Sequence, residues 1–206
     1  MKRLAILGAS GHGKVVADAA ELSGWDEVVF FDDAWPSVKS NSAWPVLGNT
    51  ADLLASINEF SGVAIAIGNN TIRLEKLNLL RDQGVNLPAI IHPKAVISRY
   101  AKIGEGSVVC AGVIVNADTQ VGAGAILNTG CSIDHDCILA EAVHISPGAR
   151  LAGGIKVGTC AWVGIGAVVR QLITVGAFSV VGAGAAVVKD VPERATVVGV
   201  PAQSLL

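Results

Sequence analysis

From residue 1 to about 88, short apolar runs alternate with stretches of helical period. Leu4-Ala5-Ile6-Leu7 predicts a buried strand, His12 to Leu22 a helix, and Glu27-Val28-Val29-Phe30-Phe31 a second strand. Thr50 to Ile57 predicts a short helix with Thr50 as its cap. Val63-Ala64-Ile65-Ala66-Ile67 follows as a third strand. Thr71 to Gln83 reads as a third helix, with Leu74, Leu77 and Leu80 on one face. Strand–helix–strand alternation at this spacing predicts a Rossmann-like α/β domain over residues 1–88, with a parallel sheet.

From Ala95 to Asp190 the period changes to six. The third residue of all sixteen consecutive blocks, from Ile97 to Val187, is Ile, Leu or Val. Those three types make up 30 of the 96 residues in this stretch, so an accidental run has a probability on the order of 10⁻⁸. The fourth position is often Gly or Asn, as at Gly104, Asn116, Gly122 and Asn128, where a chain turning a corner tolerates unusual dihedrals. The pattern predicts a hexapeptide-repeat parallel β-helix over residues 89–206, three six-residue faces to a coil. Each buried aliphatic contributes about 1.5–3 kcal/mol before chain entropy is subtracted.

This architecture accounts for a composition that is 51% hydrophobic but only 4% aromatic, because a narrow interior takes small and branched groups. A formal charge of -2 argues against a nucleic-acid or anionic-lipid binder. No apolar run approaches the roughly 20 residues of a membrane-spanning helix. The apolar start at Leu4–Leu7 is too short for a signal peptide, and a cytoplasmic location is expected. Cys131 and Cys137 fall at the small inward position and Cys110 and Cys160 near corners. With no close CxxC pair, neither zinc nor a disulfide is expected.

Two segments carry candidate chemistry. Gly8-Ala9-Ser10-Gly11-His12-Gly13 follows a strand and opens a helix, where backbone N–H groups favour phosphate. Asp32 and Asp33 end the second strand, where a ribose- or base-contacting acid would sit, and Gly68-Asn69-Asn70 ends the third. The spacing G-x-x-G-x-G is not the dinucleotide fingerprint, and three turns of an ordinary α/β sheet remain an alternative. The second segment is Asp134-His135-Asp136. A carboxylate bonded to one ring nitrogen raises the basicity of the other, the construction of a general base. His135, at the fifth position of its block, points out of the coil, so a solvated surface histidine is the competing reading. His144, at a second position, also faces outward.

Taken together these segments resemble the bacterial sugar O-/N-acetyltransferases of the sialic-acid O-acetyltransferase type, especially those acting on nucleotide-linked 4-amino sugars. The resemblance spans essentially the whole chain and rests on Gly8–Gly13, Phe31-Asp32-Asp33, Ala66–Asn70, Asn128-Thr129, Ile133–Cys137 and Val198-Gly199-Val200-Pro201-Ala202. It implies a left-handed β-helix, a homotrimer and acetyl-CoA as donor; no metal is expected, because a three-histidine site would need ligands drawn from separate regions among His12, His92, His135 and His144. By position it places the acceptor's nucleotide on Ser10, Gly11, His12, Asp32, Asp33 and Gly68, and the base at His135. Asp136, where Glu is common, raises that base's basicity. Acetyl-CoA contacts fall at His144, Ile165, Gly182 and Ala183, and the oxyanion donor is the Gly153 N–H. Gln171-Leu172-Ile173 departs from a pattern in which glycine or asparagine is common.

The implied reaction is direct acyl transfer to an amine without an acetyl-enzyme. UDP is the expected nucleotide, with GDP, dTDP or a sialic acid hydroxyl acceptor left open. The rival readings are a serine or hexose acetyltransferase, a γ-type carbonic anhydrase, and a non-catalytic trimer that recognises a nucleotide sugar.

Overall fold

The computed structural model describes residues 1–205. Its N-terminal sheet contains β1 (Arg3–Leu7), β2 (Glu27–Phe31), β3 (Ser40–Asn41), β4 (Trp44–Gly48) and β5 (Gly62–Ile65), in the order β3-β4-β2-β1-β5. β1 lies parallel to both β2 and β5, and β2 parallel to β4; β3 is antiparallel to β4. Leu4 through Leu7 are at most 2% exposed, as an apolar run between two parallel neighbours requires. Helices α1 (Gly11–Leu22), α2 (Thr50–Ala55) and α3 (Asn70–Asp82) complete the unit.

Two local readings are corrected. The cap of α2 is Asn49 and not Thr50: Asn49 Oδ1 accepts the Ala51 and Asp52 N–H groups, and Asp52 reaches back to the Asn49 N–H, a capping box. The β3–β4 pair was not anticipated, because two residues of β3 and a Pro45 in β4 give no readable alternation.

Beyond Ile90 the chain winds as a left-handed parallel β-helix of two-residue strands. From Ile90 to Val187 each strand pairs in parallel with those one coil away, as Val115 does with Ile97 on one side and Ile133 on the other, 18 residues apart. The chain closes with Gln203–Ser204 antiparallel to Thr196–Val198. Face one holds the strands Ile90–Ile91 to Val180–Val181, face two Val96–Ile97 to Ala186–Val187, and face three Lys102–Ile103 to Thr174–Val175. The third-position aliphatics from Val109 to Val187 are all buried, while Ile97 and Ile103, at the open end, are half-buried.

The corner chemistry differs from expectation. The left-handed backbone sits at the sixth position of the block, as at Gly112, Gly130, Asp136, Cys160 and Leu172, and not at the fourth. The fourth-position glycines serve close approach instead. A β-carbon on Gly122 would come within 2.6 Å of the Ala140 carbonyl carbon on the next coil.

The N-terminal unit is seated on face one. There the outward side chains of Val108 and Ile126 are 1% and 0% exposed, a burial worth about 1.5–3 kcal/mol each. Arg73 of α3 pins the junction. Its guanidinium is fully buried and donates to the carbonyls of Gly124, Ala142 and Val143 on the β-helix, and of Ile67 and Gly68 after β5.

Candidate active site

His135 and Asp136 lie at the edge between faces two and three. His135 Nδ1 stands 2.6 Å from Asp136 Oδ2. A carboxylate only accepts, so the neutral ring carries its proton on Nδ1 and exposes a lone pair on Nε2. The hydrogen bond to Asp136, followed by the charge of Asp134, raises the His135 pKa above its ordinary value. Asp136 holds φ at 58°, a left-handed conformation that Asp tolerates, and this turn swings its carboxylate back to the ring. Asp134 fixes the main chain: its Oδ1 accepts the His135 N–H at 2.9 Å and the Asn116 Nδ2–H at 2.9 Å. Asn116 stands one coil before Asp134, so the 18-residue spacing is the signal by which sequence reading could have found it.

Beneath the ring lies Gly153, 18 residues after His135. A β-carbon there would fall 2.6 Å from His135 Cε1 and 2.7 Å from Nε2, so glycine is what lets the imidazole lie over the next coil. His135, Asp136, Gly153, Gly154, Gln171 and Leu172 line a cleft of about 300 Å³. Cys137 offers no nucleophile beside it, because burial pushes its thiol pKa up.

The residues assigned to the acyl donor sit elsewhere. Ile165, Gly182 and Ala183, with Ser146, Trp162 and Gly164, line a cleft of about 200 Å³ at the edge between faces one and two. Face two separates this strip from His135 of the same chain. Trp162, which sequence reading missed, stacks on His144 with ring centroids 5.3 Å apart.

His144 points out of the coil, as expected, but it is only 9% exposed, because face one is covered here. Asn128 Oδ1 accepts the Thr129 N–H, so its amide nitrogen donates to His144 Nε2 at 3.2 Å. That leaves the His144 proton on Nδ1, a buried donor without a partner among the described residues. Burial, then the charge of Arg73, pushes the His144 pKa down to about 3, so the ring is neutral.

At the N-terminal crevice the structure gathers the glycine turn and the strand ends. Ser10 is the N-cap residue of α1, and Gly11 and His12 open that helix. Both oxygens of Asp32 bond backbone N–H groups, Ala9 at 2.6 Å and Ala34 at 2.9 Å, so its first task is to hold the turn. Asp33 is likewise engaged, accepting from the Thr50 N–H and pairing with Lys76 Nζ at 3.1 Å. Gly68 is exposed, with its carbonyl held by Arg73. Burial and then Arg73 lower the His12 pKa to about 4, and its Nε2 is buried without a partner among the described residues. Arg73 gave no signal in the sequence, where it reads as a surface charge between Ile72 and Leu74.

No group of three or more His, Cys, Asp or Glu among the described residues is arranged to hold a metal. No described helix is long and apolar enough to cross a membrane.

A hexapeptide-repeat β-helix joined to a parallel-sheet unit, matched over nearly its whole length by solved acetyltransferases, places the protein among the acetyltransferases of the β-helix class. A model of the PglD N-terminal domain matches residues 3–80. The acetyltransferase domain of PglB from Neisseria gonorrhoeae FA1090, in complex with acetyl coenzyme A, is 44% identical. That match covers 99% of each chain with a TM-score of 0.95. A mutant of perosamine N-acetyltransferase from Caulobacter crescentus, in complex with CoA and GDP-perosamine, is 39% identical over 100% of this chain and 98% of that one, TM-score 0.96. The UDP-N-acetylbacillosamine N-acetyltransferase of Bacillus subtilis (strain 168) is 40% identical over 118 residues. The aligned stretch covers 54% of this chain and 52% of that protein, about half the length of the curated relative. The chain belongs to the sugar N-acetyltransferase family.

Proposed function

We propose that this protein transfers the acetyl group of acetyl-CoA to the amine of a nucleotide-linked 4-amino sugar, with UDP as the nucleotide and His135 as general base. The observation that carries the reading is the 2.6 Å contact from His135 Nδ1 to Asp136, which leaves Nε2 basic and accessible over Gly153. Nε2 removes the proton from the acceptor nitrogen as that nitrogen attacks the thioester carbonyl carbon. The oxyanion forms beside the Gly153 N–H, which bonds to no other described residue. The tetrahedral intermediate then collapses and CoA leaves as the thiolate. Burial raises the Cys110 and Cys131 pKa values to about 11 and 12, which supports direct transfer over an acetyl-enzyme.

The apolar strip at Ile165, Gly182 and Ala183, with the Trp162 indole that stacks on buried His144 beside it, suits the methyl and methylene groups of a pantetheine chain. Because face two separates this strip from His135 in one chain, the reading requires a homotrimer in which one protomer's strip meets the next protomer's His135. The nucleotide would lie on the α1 N-terminus, with Ser10, Gly11, His12 and Gly68 around it and Asp32 and Asp33 behind the turn. The relatives named for UDP- and GDP-linked amino sugars support amine over hydroxyl transfer.

The test is release of CoA thiol with UDP-, GDP- and dTDP-linked 4-amino sugars and with a sialic acid. The UDP sugar should be acetylated, and His135→Ala should lose about 10²–10⁴-fold in kcat with acetyl-CoA binding retained. Unchanged turnover by His135→Ala removes the base from the mechanism.

A further inference from the structure

We propose that Leu172 is the acceptor-specificity residue of this site: its side chain forms the apolar wall against which the C–H face of the amino sugar ring packs. The inference rests on the function proposed above and adds a residue to it.

Leu172 has φ at 62°, in the left-handed region where a bulky side chain is an outlier. The fold imposes that conformation on the sixth position of most blocks, and glycine or aspartate meets it at Gly112, Asp118, Gly130, Asp136, Gly148 and Gly154. Leucine gives this corner no easier backbone, and its side chain is 78% exposed. The one other large apolar residue in a left-handed conformation among the described residues, Phe178, is covered by the Arg194 guanidinium at 4.8 Å from its ring centroid. Nothing comparable covers Leu172 among the described residues. A conformational penalty kept for an exposed apolar group is the signature of a site that uses the group.

The neighbouring glycines say where it is used. Gly153 makes room for the His135 ring, and at Gly154 a β-carbon would lie 2.7 Å from Leu172 Cδ2. The two adjacent positions on one coil thus clear space for two side chains: the base from the coil before and the leucine from the coil after. Both line the same cleft of about 300 Å³. An amine held at Nε2 places the sugar carbons that carry it over this floor, with Leu172 as the facing wall. A sugar ring offers C–H groups to such a wall, whereas an unbonded hydroxyl pressed there would lose its hydrogen bond to water.

The experiment measures kcat, both KM values and Tm for wild type, Leu172→Asn, Leu172→Gly and Leu172→Met, with acetyl-CoA and whichever nucleotide-linked 4-amino sugar the wild type accepts. Asn and Gly suit the left-handed corner, so their Tm should equal or exceed that of wild type. Their acceptor KM should rise about tenfold while the KM for acetyl-CoA stays within about twofold. Leu172→Met, which keeps the apolar contact, should restore most of the acceptor KM. An unchanged acceptor KM, a rise in the acetyl-CoA KM instead, or a fall in Tm that parallels the lost activity overturns the assignment. An active wild type with kinetically silent variants defeats this inference alone. A wild type that acetylates no nucleotide sugar defeats it together with the functional reading.

Discussion

His135 and Gly153 are one coil apart, and the imidazole occupies the space that a β-carbon at position 153 would need. The ring's orientation is therefore set from two directions: Asp136 holds Nδ1 in the plane, and the bare backbone of Gly153 supports it from below. Adding one methyl at 153 must tilt or lift the ring. Gly153 has no left-handed φ to lose, so the effect is steric and local. Gly153→Ala is expected to fold normally, bind acetyl-CoA, and lose about 10–10²-fold in kcat, within the range a misplaced general base costs. Steady-state kinetics with binding measured by calorimetry checks this. Full turnover by Gly153→Ala would show that the ring is not required in this position.

The contact between His135 and Asp136 predicts a pH signature. The base works only when neutral, and the hydrogen bond to Asp136 raises its pKa above 6.5. The acid limb of the kcat profile should therefore lie above pH 6.5 in the wild type. Asp136→Asn keeps a residue that tolerates the left-handed turn and removes the charge. Its acid limb should move to lower pH, while its plateau rate falls about tenfold or more because a less basic imidazole drives proton transfer less well. A limb that stays in place would assign the titration to another group.

Much of this was legible in the sequence, for a reason that is physical. A β-helix repeats its hydrogen bonding every 18 residues, so linear spacing becomes spatial adjacency, and sixteen aliphatics at one position of six reveal the coil. Asp136 reaches its histidine because they are neighbours in the chain, the case a sequence shows best. Gly153 and Asn116 needed only the 18-residue step from His135 and Asp134. What stayed hidden came from the docking of one unit on the other. Arg73 has the sequence context of a surface arginine, and His144 that of an outward residue on a bare coil. Both are buried because the N-terminal unit packs on face one. The two kinds of corner glycine, one serving a positive φ as at Gly130 and one a close approach as at Gly122, are indistinguishable in a sequence.

Arg73 predicts a stability effect. Its guanidinium carries hydrogen bonds to carbonyls on both units and to Asn70 Oδ1 at 2.9 Å, with no carboxylate partner among the described residues. Burial lowers its pKa to about 10, so it stays charged at neutral pH. Arg73→Met keeps much of the volume but leaves buried carbonyls without donors, at about 1–3 kcal/mol for each orphan that water cannot reach. A loss of about 3–5 kcal/mol is expected, a Tm lower by roughly 10 °C for a chain of this size. Differential scanning calorimetry decides it, and a shift of only a degree or two would mean that water replaces the guanidinium at the junction.

The same junction makes the fold sensitive to mild acid. His12 and His144 have pKa values lowered to about 4 and 3, against 6.5 for an unfolded histidine, by burial first and by Arg73 second. Between pH 6.5 and about 4 the unfolded chain therefore binds more protons than the native one, and stability must fall as pH falls through that window. At pH 5 each histidine is expected to cost on the order of 1–2 kcal/mol relative to neutral pH. His135 acts in the opposite sense, since its raised pKa favours the protonated native form, but it lies open to solvent and offsets little. Thermal unfolding from pH 7.5 to 5 should show Tm dropping steadily, and His144→Asn should flatten the slope by about half while lowering Tm at neutral pH. A wild-type Tm that is level across this range would mean that both imidazoles protonate in the native state, against the Asn128 amide that donates to His144 Nε2 and the burial of both rings beside Arg73.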